Sequence, residues 1–176
     1  MKPRTLAVVV LVLAAAGARL LPHPPNVTPI AAMALFGGAS FDDARMALAV
    51  PLAAMLLSDV VLGLHATMPF VYLGFLLIAG IGLWLRTRRS IPTIAAGAVV
   101  GSIAFFLITN FGVWATTTFY PKTAAGLWAA YVAGLPFFRN TVLGDLFYCA
   151  VLFGGWAALE RIVPSLRTGA AVAQGS

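Results

Sequence analysis

Charge is what this sequence has least of. Only 9% of its 176 residues are Asp, Glu, Lys or Arg, and just five of them are acidic. A soluble domain uses roughly 25% charged residues to cover its surface. With 61% hydrophobic residues, the chain needs lipid rather than water over most of its exterior. Disorder is excluded as well, because disordered chains are polar and poor in apolar side chains. A single cysteine, Cys149, rules out an internal disulfide and a multi-cysteine metal site. Its position in an apolar run suits a packed thiol. No Gly-x-Ser-x-Gly elbow, His-Glu-x-x-His pair or phosphate-binding glycine loop occurs. Catalysis therefore has no motif to rest on, and the chain cannot power transport by itself. The net charge of +6 arises from basic residues placed singly between apolar runs, not from the stripe that nucleic acid requires.

What is present is a series of apolar spans. They run from Thr5 to Leu21, Pro29 to Phe41, Met46 to Leu64, Met68 to Leu85, Ile91 to about Trp114, and about Thr141 to Leu159. This predicts an all-α integral membrane protein, a bundle of six transmembrane helices in one domain over residues 1–160. Residues 161–176 read as a disordered cytoplasmic tail. The second span is short for a bilayer core of about 30 Å, so a tilted, re-entrant or protein-enclosed helix is expected there. Its Ala31, Ala32, Ala34, Gly37 and Gly38 favour close helix packing over lipid contact. Between spans five and six lies an aromatic segment with Trp114, Tyr120, Trp128, Tyr131 and Phe137, suited to the membrane interface. Ala16-Gly17-Ala18 also matches a signal-peptide cleavage site, but Arg19 to Asn26 reads as a loop that belongs directly on the first span.

Six spans sort the basic residues by side. Lys2, Arg4, Arg45, Arg86, Arg88, Arg89, Arg161 and Arg167 fall on one side, against Arg19, Lys122 and Arg139 on the other. The positive-inside rule then places both termini in the cytoplasm of a multi-pass bacterial inner-membrane protein.

The unusual polar residues collect on the opposite, outer side. Arg19, His23 and Asn26 follow span one, and Asp59 and His65 close span three. Asn110, Trp114 and Tyr120 end span five, and Arg139, Asn140 and Asp145 open span six. Asp59 and Asp145 lie within apolar spans, where an unpaired carboxylate costs several kcal/mol. Arg19 and Arg139 are the arginines at that depth and would pair with them. Two readings are open: a structural ion-pair network, or groups lining a water-filled pocket around a polar ligand. Prolines 22, 24, 25 and 29 stiffen the first outer loop and hold His23 and Asn26 over the mouth of the bundle. Two histidines without a carboxylate cluster are poor evidence for metal, and no metal site or cofactor is expected.

The stretches Arg19 to Ile30 (Arg-Leu-Leu-Pro-His-Pro-Pro-Asn-Val-Thr-Pro-Ile), Pro51 to Asp59, Thr109 to Trp114 and Pro136 to Asp145 resemble an uncharacterised family of small bacterial membrane proteins. In layout the chain is also similar to the S components of energy-coupling factor (ECF) vitamin transporters. Those are six-span proteins of this length with a vitamin site under their outer loops. That resemblance implies uptake of a vitamin-like or other small polar micronutrient, with Trp114 and Tyr120 stacking on or capping it. It also implies a transmembrane coupling subunit and ATPases as partners, meeting an Ala-rich first span. The alternative is a non-transporting membrane subunit that assembles with a larger complex. An intramembrane enzyme is a more distant third reading.

Overall fold

Each apolar span becomes a helix, and boundary residues set the ends. The computed structural model of the protein describes residues 2–167. Six α-helices follow one another: α1 (Pro3–Ala18), α2 (Ile30–Ser40), α3 (Ala44–Leu62), α4 (Met68–Leu85), α5 (Ile91–Thr116) and α6 (Ala124–Ile162). Prolines in the first turn open α1, α4 and α5, where no backbone N–H partner is needed. Asp43, Ser90 and Thr123 cap α3, α5 and α6 through side-chain oxygens. Among the described residues, α3 to α6 are long and apolar enough to cross a membrane, while α1 and α2 are shorter. This is a helical membrane bundle.

The shortest helix forms the centre. Nine of the eleven residues of α2, Ala32 to Ser40, are buried, and the helix packs against α1, α3, α4, α5 and α6. A helix that is apolar on every side must be enclosed, and here the enclosure is protein rather than lipid. A buried helix end leaves its last carbonyls without intrahelical partners, a cost that α2 meets with arginines. The Gly37 carbonyl accepts from Phe41 N at 3.2 Å. The Gly38 carbonyl accepts from Arg86 Nε at 3.1 Å, Ala39 from Arg89 Nη2, and Ser40 from Arg4 Nη2 at 3.3 Å. Three cations at the negative end of the helix also complement its dipole.

One expectation needs correction. The aromatic segment before the last span is not separate from that span. From Ala124 it is the first part of α6, which continues through Pro136 to Ile162. At 1.5 Å per residue that helix is about 58 Å long, well beyond a bilayer core of about 30 Å. Past residue 160, α6 runs on to Ile162. Pro164–Leu166 form a 3₁₀ turn whose Leu166 is buried and whose carbonyl accepts from Arg4 Nη1 at 2.7 Å. Residues 168–176 of the expected tail lie outside the described residues.

Candidate functional site

At the end of the bundle opposite the arginine caps, the polar residues divide into two groups that sequence spacing does not separate. The first is a closed network. Asp59, on the last turn of α3, is 1% exposed and forms an ion pair with Arg19 at the end of α1. Its second carboxylate oxygen accepts from Tyr72 of α4 at 2.9 Å. Arg19 also donates to Ser58 at 2.8 Å. Both oxygens of the carboxylate are thus engaged, and three helices are joined through one residue. Tyr72 is the partner that sequence reasoning missed. Arg19 and Asp59 pair as the depth of the carboxylate leads one to expect, and the pair ties α1 to α3.

The second group surrounds a cavity of about 370 Å³ between α5, α6 and the proline loop. Asn26, Thr109, Asn110, Tyr120 and Thr141 supply its polar lining, and Phe105, Phe106, Phe137 and Phe138 supply aromatic walls. The spacing that places Phe105, Phe106, Thr109, Asn110 and Val113 here is one face of α5, at the i, i+3, i+4 register. Across from it, Gly134 lets α6 approach so closely that an added Cβ would meet the Asn110 side chain. Asn110 donates to the Phe106 carbonyl at 2.8 Å, and Thr109 and Thr141 bond carbonyls one turn back at 2.7 and 3.0 Å. Phe106 packs between Phe138, with centroids 4.9 Å apart, and Tyr131 at 5.8 Å.

The short α2 explains why there is room. Because that helix begins deep in the bundle, the proline loop descends to meet it. Asn140 donates to the Pro25 carbonyl at 3.0 Å, and Val27 and Thr28 lie against Gly144. These contacts fall about 24 to 30 Å along α6 from Ala124. The first half of α6 and the last turns of α5 therefore stand above the loop, and the cavity opens between them. Asn26 adopts φ 61°, a left-handed conformation that asparagine tolerates better than most residues.

The remaining site candidates lie elsewhere. His23 is exposed, with its ring nitrogens 3.2 Å from the Arg19 carbonyl and 3.0 Å from that of Pro24. His65 is exposed beside the Thr67 hydroxyl at 2.8 Å. Trp114 donates to the Pro121 carbonyl at 3.0 Å and lies under Lys122, whose ammonium is 5.8 Å from the ring centroid. It holds the α5–α6 connection and does not line the cavity. Arg139 is exposed and makes no ion pair among the described residues, so the expected pairing with Asp145 is absent. Asp145 is 2% exposed and accepts instead from Ser102 in the middle of α5 at 2.6 Å. It sits near the centre of the bundle, deeper than its count from the start of span six suggests. Ser102 carried a sequence signal, as a hydroxyl three residues before Phe105 on the same stretch of α5, but nothing local joined it to Asp145. Among the described residues no cluster of His, Cys, Asp or Glu is able to hold a metal ion.

With this geometry in view, the comparison with known families is decisive over nearly the whole chain: residues 1–166 match a family of unknown function, DUF6580. The chain belongs to that family. No curated protein and no solved structure matches it. In this DUF6580 chain Arg19 and Asp59 are the ion pair, whereas Asn26, Asn110 and Thr109 line the cavity.

Proposed function

We propose that this protein captures a small, uncharged polar molecule at the extracytoplasmic face, as the binding step of micronutrient uptake of the ECF S-component type. The observation that carries the reading is the cavity of about 370 Å³ between α5, α6 and the proline loop. Its size lies within the range of small-molecule sites, about 300–1,000 Å³. Its lining selects a ligand class: two carboxamides, two threonine hydroxyls and a tyrosine among four phenylalanines, with no charged side chain. Such a lining suits a neutral ring-bearing molecule with donors and acceptors at its edge, as many vitamins have. In this reading the arginine-rich end faces the cytoplasm, where positive charge is favoured. Asn110 and Asn26 orient the ligand, Tyr120 closes over it, and Phe106 and Phe138 stack on its ring. Energy comes from a separate coupling subunit and its ATPases. The outward side of α1, where Ala14 and Gly17 are exposed while Ala15 and Ala16 are buried, offers that subunit a shallow surface.

The test is native mass spectrometry of the protein purified in mild detergent. A co-purifying metabolite of a few hundred daltons, lost in Asn110→Ala but retained in His65→Ala, supports the reading. A metabolite retained by Asn110→Ala would move the site elsewhere. A stoichiometric membrane-protein partner with no small molecule would favour an assembly subunit.

A further inference from the structure

The first turns of α5 and the last turns of α6 do not close on each other. Between them lies a crevice of about 590 Å³ with walls that include Ile91, Ile94, Leu146, Ala150, Phe153 and Ala157. Arg89 and Glu160 stand at its mouth. Behind Arg89 is a second, polar cavity of about 490 Å³, lined by Arg4, Asp42, Arg86, Thr87 and Arg89. Arg89 belongs to both walls, so an apolar slot and a cationic cavity meet at one guanidinium.

The charges in this region do not cancel. Arg4, with its side chain 7% exposed, takes both nearby carboxylates, Glu160 at 2.7 Å and Asp42 at 3.7 Å. Among the described residues, neither Arg86 nor Arg89 has a carboxylate within 4.0 Å. Both spend donors on backbone carbonyls, Arg86 on Gly38 and, through Nη1 at 3.2 Å, on Asp42, and Arg89 on Ala39. Arg86 Nη2 is buried with no hydrogen-bond partner, and Arg4 Nε has none beyond its long contact with Asp42. Burial first, and then the nearby Arg4 charge, hold the Arg89 pKa below the usual arginine value, with Glu160 opposing. An anion would relieve this crowding.

We propose that the crevice and the arginine cavity together hold one anionic glycerophospholipid. Its phosphate lies against Arg89 and Arg86, and an acyl chain lies along Ile94, Ala150 and Phe153. Charge selects the headgroup, since basic pockets between membrane helices favour anionic lipid. The apolar slot beside it separates a lipid from a free anion, which has nothing to place there. Glu160 is held by Arg4 at 2.7 Å, and the two carboxylates leave the three arginines one positive charge in excess for the phosphate. This site is at the opposite end of the bundle from the ligand cavity and does not depend on it.

The test is native mass spectrometry of the delipidated full chain titrated with phosphatidylglycerol or phosphatidylcholine of matched acyl chains. One phosphatidylglycerol should bind with a preference on the order of tenfold over phosphatidylcholine. The Arg86→Gln/Arg89→Gln double variant should bind both lipids alike. Ala150→Phe fills the slot while leaving every arginine in place, and should also lose the bound lipid. It carries the test alone if the double variant does not fold. Equal binding of the two lipids by the wild type would overturn the proposal. So would full binding by Ala150→Phe, or displacement of phosphatidylglycerol by millimolar inorganic phosphate, which would assign the cavity to a free anion.

Discussion

Gly38 of α2 and Gly82 of α4 meet backbone to backbone. A Cβ built on either would lie 2.9 Å from the Cα of the other, closer than real Cβ atoms come. This crossing is how the enclosed helix is seated against its most extensive neighbour.

Gly82→Ala should therefore be destabilising, because the obstacle is main chain and cannot rotate away. Overpacking of this kind costs about 1–3 kcal/mol, occasionally more. Gly80→Ala, two residues earlier, has nothing within 4 Å of the new Cβ and should be neutral. Thermal unfolding in detergent, followed by scattering or fluorescence, separates the two. Equal melting temperatures would show that the crossing is not tight.

Asp59→Ala should leave Arg19, whose side chain is 15% exposed, without its carboxylate and cost about 3 kcal/mol, the low end of what removing one member of a buried pair costs. The double variant Arg19→Met/Asp59→Leu should recover much of that loss. Ligand capture, measured on whatever folded Asp59→Asn protein is obtained, should be near the wild-type level. A folded Asp59→Asn variant that has lost the ligand would instead place this residue in the binding site.

Asn110→Ala should weaken ligand binding by about tenfold, close to the net worth of one well-placed hydrogen bond. Its melting temperature without ligand should be almost unchanged, since Asn110 is half-buried and bonds only its own helix within the protein. A fall in stability without change in affinity would make it a packing residue.

Ser102→Ala should destabilise by about 1–3 kcal/mol, because it strips Asp145 of its hydrogen bond in the middle of the bundle. Asp145→Asn should be tolerated far better, since the carboxamide keeps the bond to Ser102 and brings no charge to bury. The comparison is again of melting temperatures. An Asp145→Asn variant as unstable as Ser102→Ala would mean that the carboxylate serves a partner other than Ser102.

How much of this was legible beforehand varied with the distance over which the cause acts. Apolar runs and their proline, serine and aspartate boundaries act within a turn or two. They placed all six helices, and they marked α2 as a packing helix through Gly37 and Gly38. The continuity of α6 was hidden because the polar Arg139-Asn140 pair reads as the start of a new span, although a helix whose first half extends past its neighbours tolerates polar residues along it. The Arg19–Asp59 pair was legible because a carboxylate at that depth needs a cation and few were available. The same argument called for a cation beside Asp145, and there it failed, since a buried serine satisfied the carboxylate instead.

The sequence by itself determined that lipid surrounds this protein, that six apolar runs become helices, and which few polar groups must find partners inside it. Composition and local capping are sufficient for that. Only the tertiary structure decided which partners they find. It closed Asp59 between Arg19 and Tyr72, gave Asp145 to Ser102, and turned basic residues at the membrane edge into caps for a buried helix. It also lowered the proline loop onto the middle of α6, which left Asn26, Asn110 and Tyr120 around one cavity and His23, His65 and Trp114 outside it. Helix ends and side-chain rows can be counted along a chain, but the depth at which one helix meets another is set by close packing among residues far apart in sequence.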